Sequence, residues 1–238
     1  MTKELFRENS YLKSSNSVVT AIDGHGIQLD ATVFYPTGGG QPGDSGWLEP
    51  TEGGKLRVVD TIKDRNTGEL LHIIDGNPNA ISVGEKILAT IDWDRRYKLM
   101  RMHTAMHILC SIIEGGVTGG QVGEEKSRID FDLPDTSLDK LLIQSEFDRL
   151  ISEDHIVQHR WITDQEMQAN VELVRTMSVK PPTGTGKVRL LEIAEVDLQP
   201  CGGTHVARTR EIGHIRVGKI ENKGKHNRRV NIHLEDYD

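Results

Sequence analysis

Cysteine is scarce in this chain, two in 238 residues. That rules out a disulfide scaffold and leaves each thiol to be explained by packing or by metal chemistry. No apolar run approaches the ~20 residues of a membrane span. The opening Met-Thr-Lys-Glu lacks a signal-peptide core, so the cytoplasm is the expected compartment. Missing too is any Gly-x-Ser-x-Gly elbow, which removes support for a covalent serine route. The glycine-rich stretch is not followed by Gly-Lys-Ser/Thr, which disfavours a phosphate-binding loop of that type. Internal repeats and low-complexity tracts are absent. So is a general excess of positive charge, since the net charge is −7, unlike that of a generic nucleic-acid binder.

What is present is concentrated in two short motifs, His103-Thr-Ala-Met-His107 and Cys201-Gly-Gly-Thr-His205. Residues four apart on a helix share a face, so His103 and His107 can reach one ion. The glycines after Cys201 let the backbone turn tightly and bring thiolate and imidazole together. Three imidazoles and one thiolate suit Zn2+, one per chain, and leave a net charge of roughly +1, so polarising power remains. A zinc-protease helix reads His-Glu-x-x-His with the glutamate as base, and here Thr104 stands in its place. A purely structural zinc is the competing reading. Cys110 reads as a small apolar helix residue.

Along the chain, residues 1–92 read as a small β-barrel. Short alternating runs at Ser17–Ala21, Gly26–Leu29, Ala31–Tyr35, Lys55–Ile62, Leu70–Ile74 and Ile87–Ile91 are separated by turn signals, among them Asp23-Gly-His-Gly26. The period changes at Asp92. A helix to Glu114 is expected, capped by Asp94 and stopped by Gly115-Gly116. Residues 93–238 then read as an α+β domain. Its strands are expected at Arg128–Phe131, Ile156–Ile162 and Val188–Ile193, and its helices at Ser137–Glu153 and within Thr163–Val174. A terminal hairpin, Ile212–Ile220 with Arg228–Leu234, turns at Lys223-Gly-Lys225. Between His205 and Val230, eight basic residues, Arg208, Arg210, Arg216, Lys219, Lys223, Lys225, Arg228 and Arg229, face two acidic ones, Glu211 and Glu221. Local charge of this kind can hold a phosphate backbone within an acidic protein.

At these residues the chain resembles a known family. The two metal motifs, with Arg101-Met-His-Thr-Ala-Met-His-Ile-Leu109, Leu198-Gln-Pro-Cys-Gly-Gly-Thr-His205 and Lys225-His-Asn-Arg-Arg-Val-Asn231, are similar to the editing domain of alanyl-tRNA synthetases and to freestanding AlaX editing proteins. Phe34-Tyr-Pro-Thr-Gly-Gly-Gly-Gln-Pro-Gly-Asp-Ser-Gly46 resembles the glycine-rich motif in the N-terminal barrel of the longer AlaX forms. No aminoacylation domain is recognisable. The resemblance implies a freestanding, zinc-dependent editing hydrolase that deacylates Ser-tRNA(Ala), and Gly-tRNA(Ala) beside it, in the cytoplasm.

On that reading His103, His107, Cys201 and His205 are the metal ligands, and His205 is the one expected to yield to substrate or water. No catalytic residue is expected beyond the metal site, and the general base is not identified. Gln41, Thr118 and Gln121 are the candidates for reading the serine hydroxyl, the latter two in what reads as a polar loop. Lys223, Lys225, Arg228 and Arg229 are the expected phosphate contacts, joined by Arg95, Arg96 and Arg101. The partner is the acceptor end of tRNA(Ala), with no membrane; the sequence leaves the oligomeric state open, with a monomer favoured. Two other readings compete: a non-catalytic RNA-binding module stapled by zinc, and a zinc hydrolase of a small-molecule ester.

Overall fold

The computed structural model describes residues 2–24, 26–134, 137–170, 173–174 and 186–235, in two compact units, Met1–Tyr97 and Lys98–Asp238. The first holds eight strands: β1 (Lys3–Glu4), β2 (Ser14–Asp23), β3 (Gly26–Leu29), β4 (Ala31–Thr32), β5 (Gly46–Pro50), β6 (Leu56–Lys63), β7 (Leu70–Asp75) and β8 (Lys86–Ile91). Six of them close an antiparallel barrel in the order β2-β3-β7-β6-β5-β8. Its interior is filled by alternate residues such as Val19, Ile27, Leu29, Leu48, Val58, Ile87 and Ala89, as expected for a barrel of this size. The sequence-based expectation of a small N-terminal barrel is met. His25, in the turn between β2 and β3, lies outside the described residues.

Three points of this unit depart from the sequence reading. The run Ala31–Tyr35 pairs as a strand only over Ala31–Thr32. The next amides are taken by side chains: Phe34 N–H donates to Thr32 Oγ1 at 3.1 Å and Tyr35 N–H to Asp44 Oδ2 at 2.6 Å. The strand β5 was not expected at all. The helix α1 (Trp93–Ile112) also starts earlier than foreseen. Asp92, rather than Asp94, accepts from the Arg95 amide at 3.4 Å, and Asp94 sits inside the first turn, where its charge still favours the helix N-terminus.

The second unit has β9 (Gly116–Gln121), β10 (Lys126–Asp132), α2 (Lys140–Ser152), β11 (Val157–Thr163), α3 (Asp164–Ala169), β12 (Lys187–Ile193), β13 (Asp197–Pro200), β14 (His214–Asn222) and β15 (Asn227–Glu235). One antiparallel sheet runs β14-β15-β10-β9 and another β11-β12-β13. Strands and helices are mixed, so the α+β class stands. Asp139 caps α2, accepting from the amides of Leu141 and Leu142. Thr163 and Glu166 form a reciprocal capping box on α3. A second short helix after α3 would include Val171 and Glu172, which lie outside the described residues. Cys110 is buried on α1 as expected. Among the described residues, no helix is long and apolar enough to cross a membrane.

Candidate metal centre

Helix α1 delivers His103 and His107 one turn apart, and the chain leaving β13 delivers Cys201 and His205. The four ligand atoms all lie within 4.8 Å of one another. Cys201 Sγ is 3.2 Å from His205 Nε2 and 3.7 Å from His103 Nε2. Donors placed tetrahedrally around zinc at their usual bond lengths stand about 3.3–3.8 Å apart. The residues therefore fit a zinc-sized ion with little movement.

The imidazoles are oriented from behind. His107 Nδ1–H donates to Asp197 Oδ2 at 3.0 Å. The Thr104 hydroxyl donates to Met100 O at 2.8 Å, so it accepts from His205 Nδ1–H at 3.2 Å. Both contacts place the proton on Nδ1 and leave the Nε2 lone pair for a metal. Thr104, at the position where a protease carries its glutamate, is thus a tautomer-setting residue. The Cys201 loop is braced by Arg189, whose Nη1 donates to Cys201 O and Gly203 O, both at 3.0 Å. The Gly203 amide points at Cys201 Sγ from 3.4 Å.

Charge in the cluster is already distributed for ligation. Burial opposes ionisation of Cys201, but the three histidines around it hold the thiol well below its ordinary range. Burial likewise pushes His205 down to about 3, keeping it neutral. For His107 burial is outweighed by the Cys201 thiolate and Asp197, which raise it to about 10. A cation entering this cluster therefore competes with a proton for His107.

The substrate candidates fall in three places. Thr118 and Gln121 belong to the edge strand β9 rather than to a loop. Pairing with β10 recruits a Val-Thr-Gly-Gly-Gln run whose glycines read locally as a turn. A Cβ added at Gly120 would stand 3.1 Å from Met106 Cε, so this point of β9 lies against a side chain from the turn of α1 between the two histidines. Thr118 Oγ1 donates to Asp130 O at 3.2 Å, and exposed Gln121 accepts from Arg128 Nε at 3.3 Å. Gln41 is in the first unit, buried, and exchanges backbone hydrogen bonds with Gly38.

The basic hairpin is more neutralised than its sequence implies. Arg208 pairs with Asp154, Arg216 with Glu235, and Lys219 and Lys223 with Glu221. Arg229 grips Asp130 through two bonds of 2.7 and 2.8 Å and holds that carboxyl below its usual range. Among the described residues no carboxylate pairs with Lys225 or Arg228. Arg228 donates to Gly224 O and Asn227 O. The supporting arginines also have internal tasks. Arg95 donates to Gly43 O and Arg101 to Ile212 O. Arg96 is fully buried on Asp44, so it cannot meet a phosphate and that expectation is withdrawn.

Sequence reasoning missed Asp197, Gln199 and Arg189. A signal was available for the first two: alternation along Asp197-Leu-Gln-Pro-Cys201 puts Asp197, Gln199 and Cys201 on one side of an extended segment.

Comparison with known proteins adds an independent line. The threonyl and alanyl tRNA synthetase second additional domain matches residues 188–231, and the class II (A) tRNA synthetase family matches residues 4–95. The alanyl-tRNA editing protein AlaX-M of Saccharolobus solfataricus is 37% identical over 97% of this chain and 98% of its own length. That of Pyrococcus horikoshii is 34% identical over 99% of both. The alanine–tRNA ligase of Pyrobaculum neutrophilum is 37% identical over 92% of this chain, which spans 25% of the ligase.

Proposed function

The chain belongs to the alanyl-tRNA editing proteins of the AlaX-M type, and from that premise we propose that it is a trans-editing hydrolase. It deacylates tRNA(Ala) mischarged with serine, and with glycine as second substrate, using one Zn2+ held by His103, His107, Cys201 and His205. The observation that carries this is the convergence of four donors within 4.8 Å, with Nε2 of His107 and His205 turned inward by the bonds on Nδ1. Bound there, zinc supplies Lewis-acid polarisation at the ester that joins amino acid to ribose.

The remaining work falls to the chain itself. An aminoacyl ester is already activated, so positioning counts for more than nucleophile strength. Serine differs from alanine by one hydroxyl. A site that hydrogen-bonds it rejects alanine because its own polar groups would be left unpaired. Gln121 is the better reader of that hydroxyl, since its side chain is exposed on β9 with its carbonyl engaged by Arg128. Thr118 has already given its proton to Asp130 O and can only accept. Gln41 is the third candidate. Lys225, Lys223 and Arg228 at the hairpin tip hold acceptor-stem phosphates, with Arg229 contributing from behind its ion pair.

The test is deacylation of Ser-, Gly- and Ala-tRNA(Ala) alongside metal analysis. Serine and glycine should be released and alanine spared, and His103→Ala should lose activity while keeping its circular dichroism. Turnover that survives complete metal removal from folded protein refutes the mechanism. A KM indifferent to salt points instead to a small-molecule ester, because counterion release makes tRNA binding steeply salt-dependent.

A further inference from the structure

Behind the metal-ligand side chains stand two residues whose part goes beyond setting the tautomer of His107. Asp197 and Gln199 are two apart on β13, and both are buried, 6% and 4% exposed. Asp197 Oδ2 accepts from His107 Nδ1–H at 3.0 Å, and Gln199 Nε2 donates to both Asp197 oxygens at 2.9 Å. Among the described residues no lysine or arginine pairs with Asp197, and its ionic partner is His107. A buried carboxylate is costly unless a positive charge answers it. The His107 ring is placed to answer it, and through that ring so would a cation ligated on its far side. His205 is backed differently: its Nδ1–H meets a neutral hydroxyl, that of Thr104. A carboxylate behind an imidazole raises its basicity as a ligand more than a hydroxyl does.

We infer that Asp197, locked by Gln199, is a positioning residue that fixes the His107 ring and makes it the anchoring donor of the metal centre, while Thr104 leaves His205 the weaker donor and the one that yields to substrate. This rests on the metal-dependent reading above and concerns how the chain grades its own ligands.

The experiment reads the metal rather than the reaction. Zn2+ affinity is measured by competition with a chromogenic chelator, and the visible spectrum is recorded for Co2+-loaded protein. The proteins are wild type, Asp197→Ala, Asp197→Asn, Gln199→Leu and Thr104→Val, each checked for fold by circular dichroism. Asp197→Ala should bind Zn2+ about 10–100-fold more weakly, the usual loss for an outer carboxylate, with shifted Co2+ bands. Asp197→Asn still accepts from His107 but carries no charge, so it should fall between, and it decides the matter if the alanine variant does not fold. Gln199→Leu and Thr104→Val should each lose less than Asp197→Ala. Folded Asp197 variants that bind as tightly as wild type with an unchanged Co2+ spectrum overturn the inference. So does a greater loss from Thr104→Val. A wild-type protein that takes up no metal would sink the proposed function instead, so the two failures are distinguishable.

Discussion

Replacing Arg96 with methionine tests whether this arginine serves the fold or the RNA. Its side chain is fully buried. Nε donates to both Asp44 oxygens at 3.0 Å, Nη1 to Ser10 O at 3.0 Å, and Nη2 to Val33 O at 2.7 Å and to Asp44 Oδ2. Methionine fills much of the same volume but donates nothing. Asp44, 1% exposed, would keep the Tyr35 amide at 2.6 Å as a donor. Breaking one side of a buried pair costs about 3–5 kcal/mol, a large share of the ~5–15 kcal/mol that holds a native protein. With roughly 2–4 °C lost per kcal/mol in a chain of this size, the melting temperature should fall by roughly 6–20 °C. Urea unfolding followed by tryptophan fluorescence measures the cost. Arg96→Met with Asp44→Leu should cost less than the sum of the single changes, by about 1–3 kcal/mol of coupling. A loss under about 1 kcal/mol, or intact stability with weakened tRNA binding, would refute the buried-anchor account.

Other outcomes follow from named contacts. His72 is sealed in the barrel, with Nδ1–H donating to Ile27 O at 2.9 Å and Nε2 accepting from Thr32 Oγ1 at 2.8 Å. Burial, partly opposed by the Ile27 bond, lowers it to about 4 from the ordinary 6.5. Because the folded value is the lower one, this stabilisation is complete above pH 6.5 and is lost as pH falls toward 4, up to about 3 kcal/mol. Denaturant melts of His72→Gln should show a shallower acid slope than wild type across that window. Zn2+ binding at neutral pH should release a proton from His107, raised to about 10 in the metal-free site. Affinity should therefore climb with pH, and calorimetry in buffers of different ionisation enthalpy should register the proton. Lys225→Glu should raise KM for tRNA and flatten its salt dependence with kcat unchanged. Arg229→Ala, which strips Asp130 of its main partner, should lower stability in denaturant melts.

The parts of the fold written in local periodicity were legible in the sequence. Most barrel strands alternate, the change of period announces α1 although its cap is Asp92 and not Asp94, and the metal motifs announce their spacing. What escaped was set by distant partners. β9 contains Gly119 and Gly120 and looks like a loop, but pairing with β10 makes it a strand. A cluster of arginines reads as a solvent-facing charge patch, yet Arg96 and Arg229 are spoken for by Asp44 and Asp130, 52 and 99 residues away. The ligands of the candidate metal centre could be named from the chain alone, whereas the residues that orient them could not. Thr104 declares nothing about His205 until the helix and the loop are side by side.

The glycine-rich motif separates into two halves by the same physical test. A Cβ at Gly43 would stand 2.1 Å from Thr61 O, and one at Gly46 would stand 2.2 Å from Thr90 O. Both are backbone atoms that cannot step aside, so this half of the motif clasps the barrel wall. The turn before it is open. Gly39 has φ +56° with nothing within 4 Å of an added Cβ, and the turn is closed by paired amides of Gly38 and Gln41 at 3.0 and 2.9 Å. Gly43→Ala should therefore unfold the first unit or deeply destabilise it, whereas Gly39→Ala should carry only the left-handed backbone penalty, about 1–2 kcal/mol. Gln41→Ala, with its fold checked by circular dichroism because the side chain is buried, then tests recognition. If Gln41 reads the substrate hydroxyl, the variant stays folded and turnover of Ser-tRNA(Ala) falls while that of Gly-tRNA(Ala), which has no hydroxyl to lose, is spared. If both substrates are turned over as in wild type, the motif is a clasp and nothing more, and discrimination rests on Gln121.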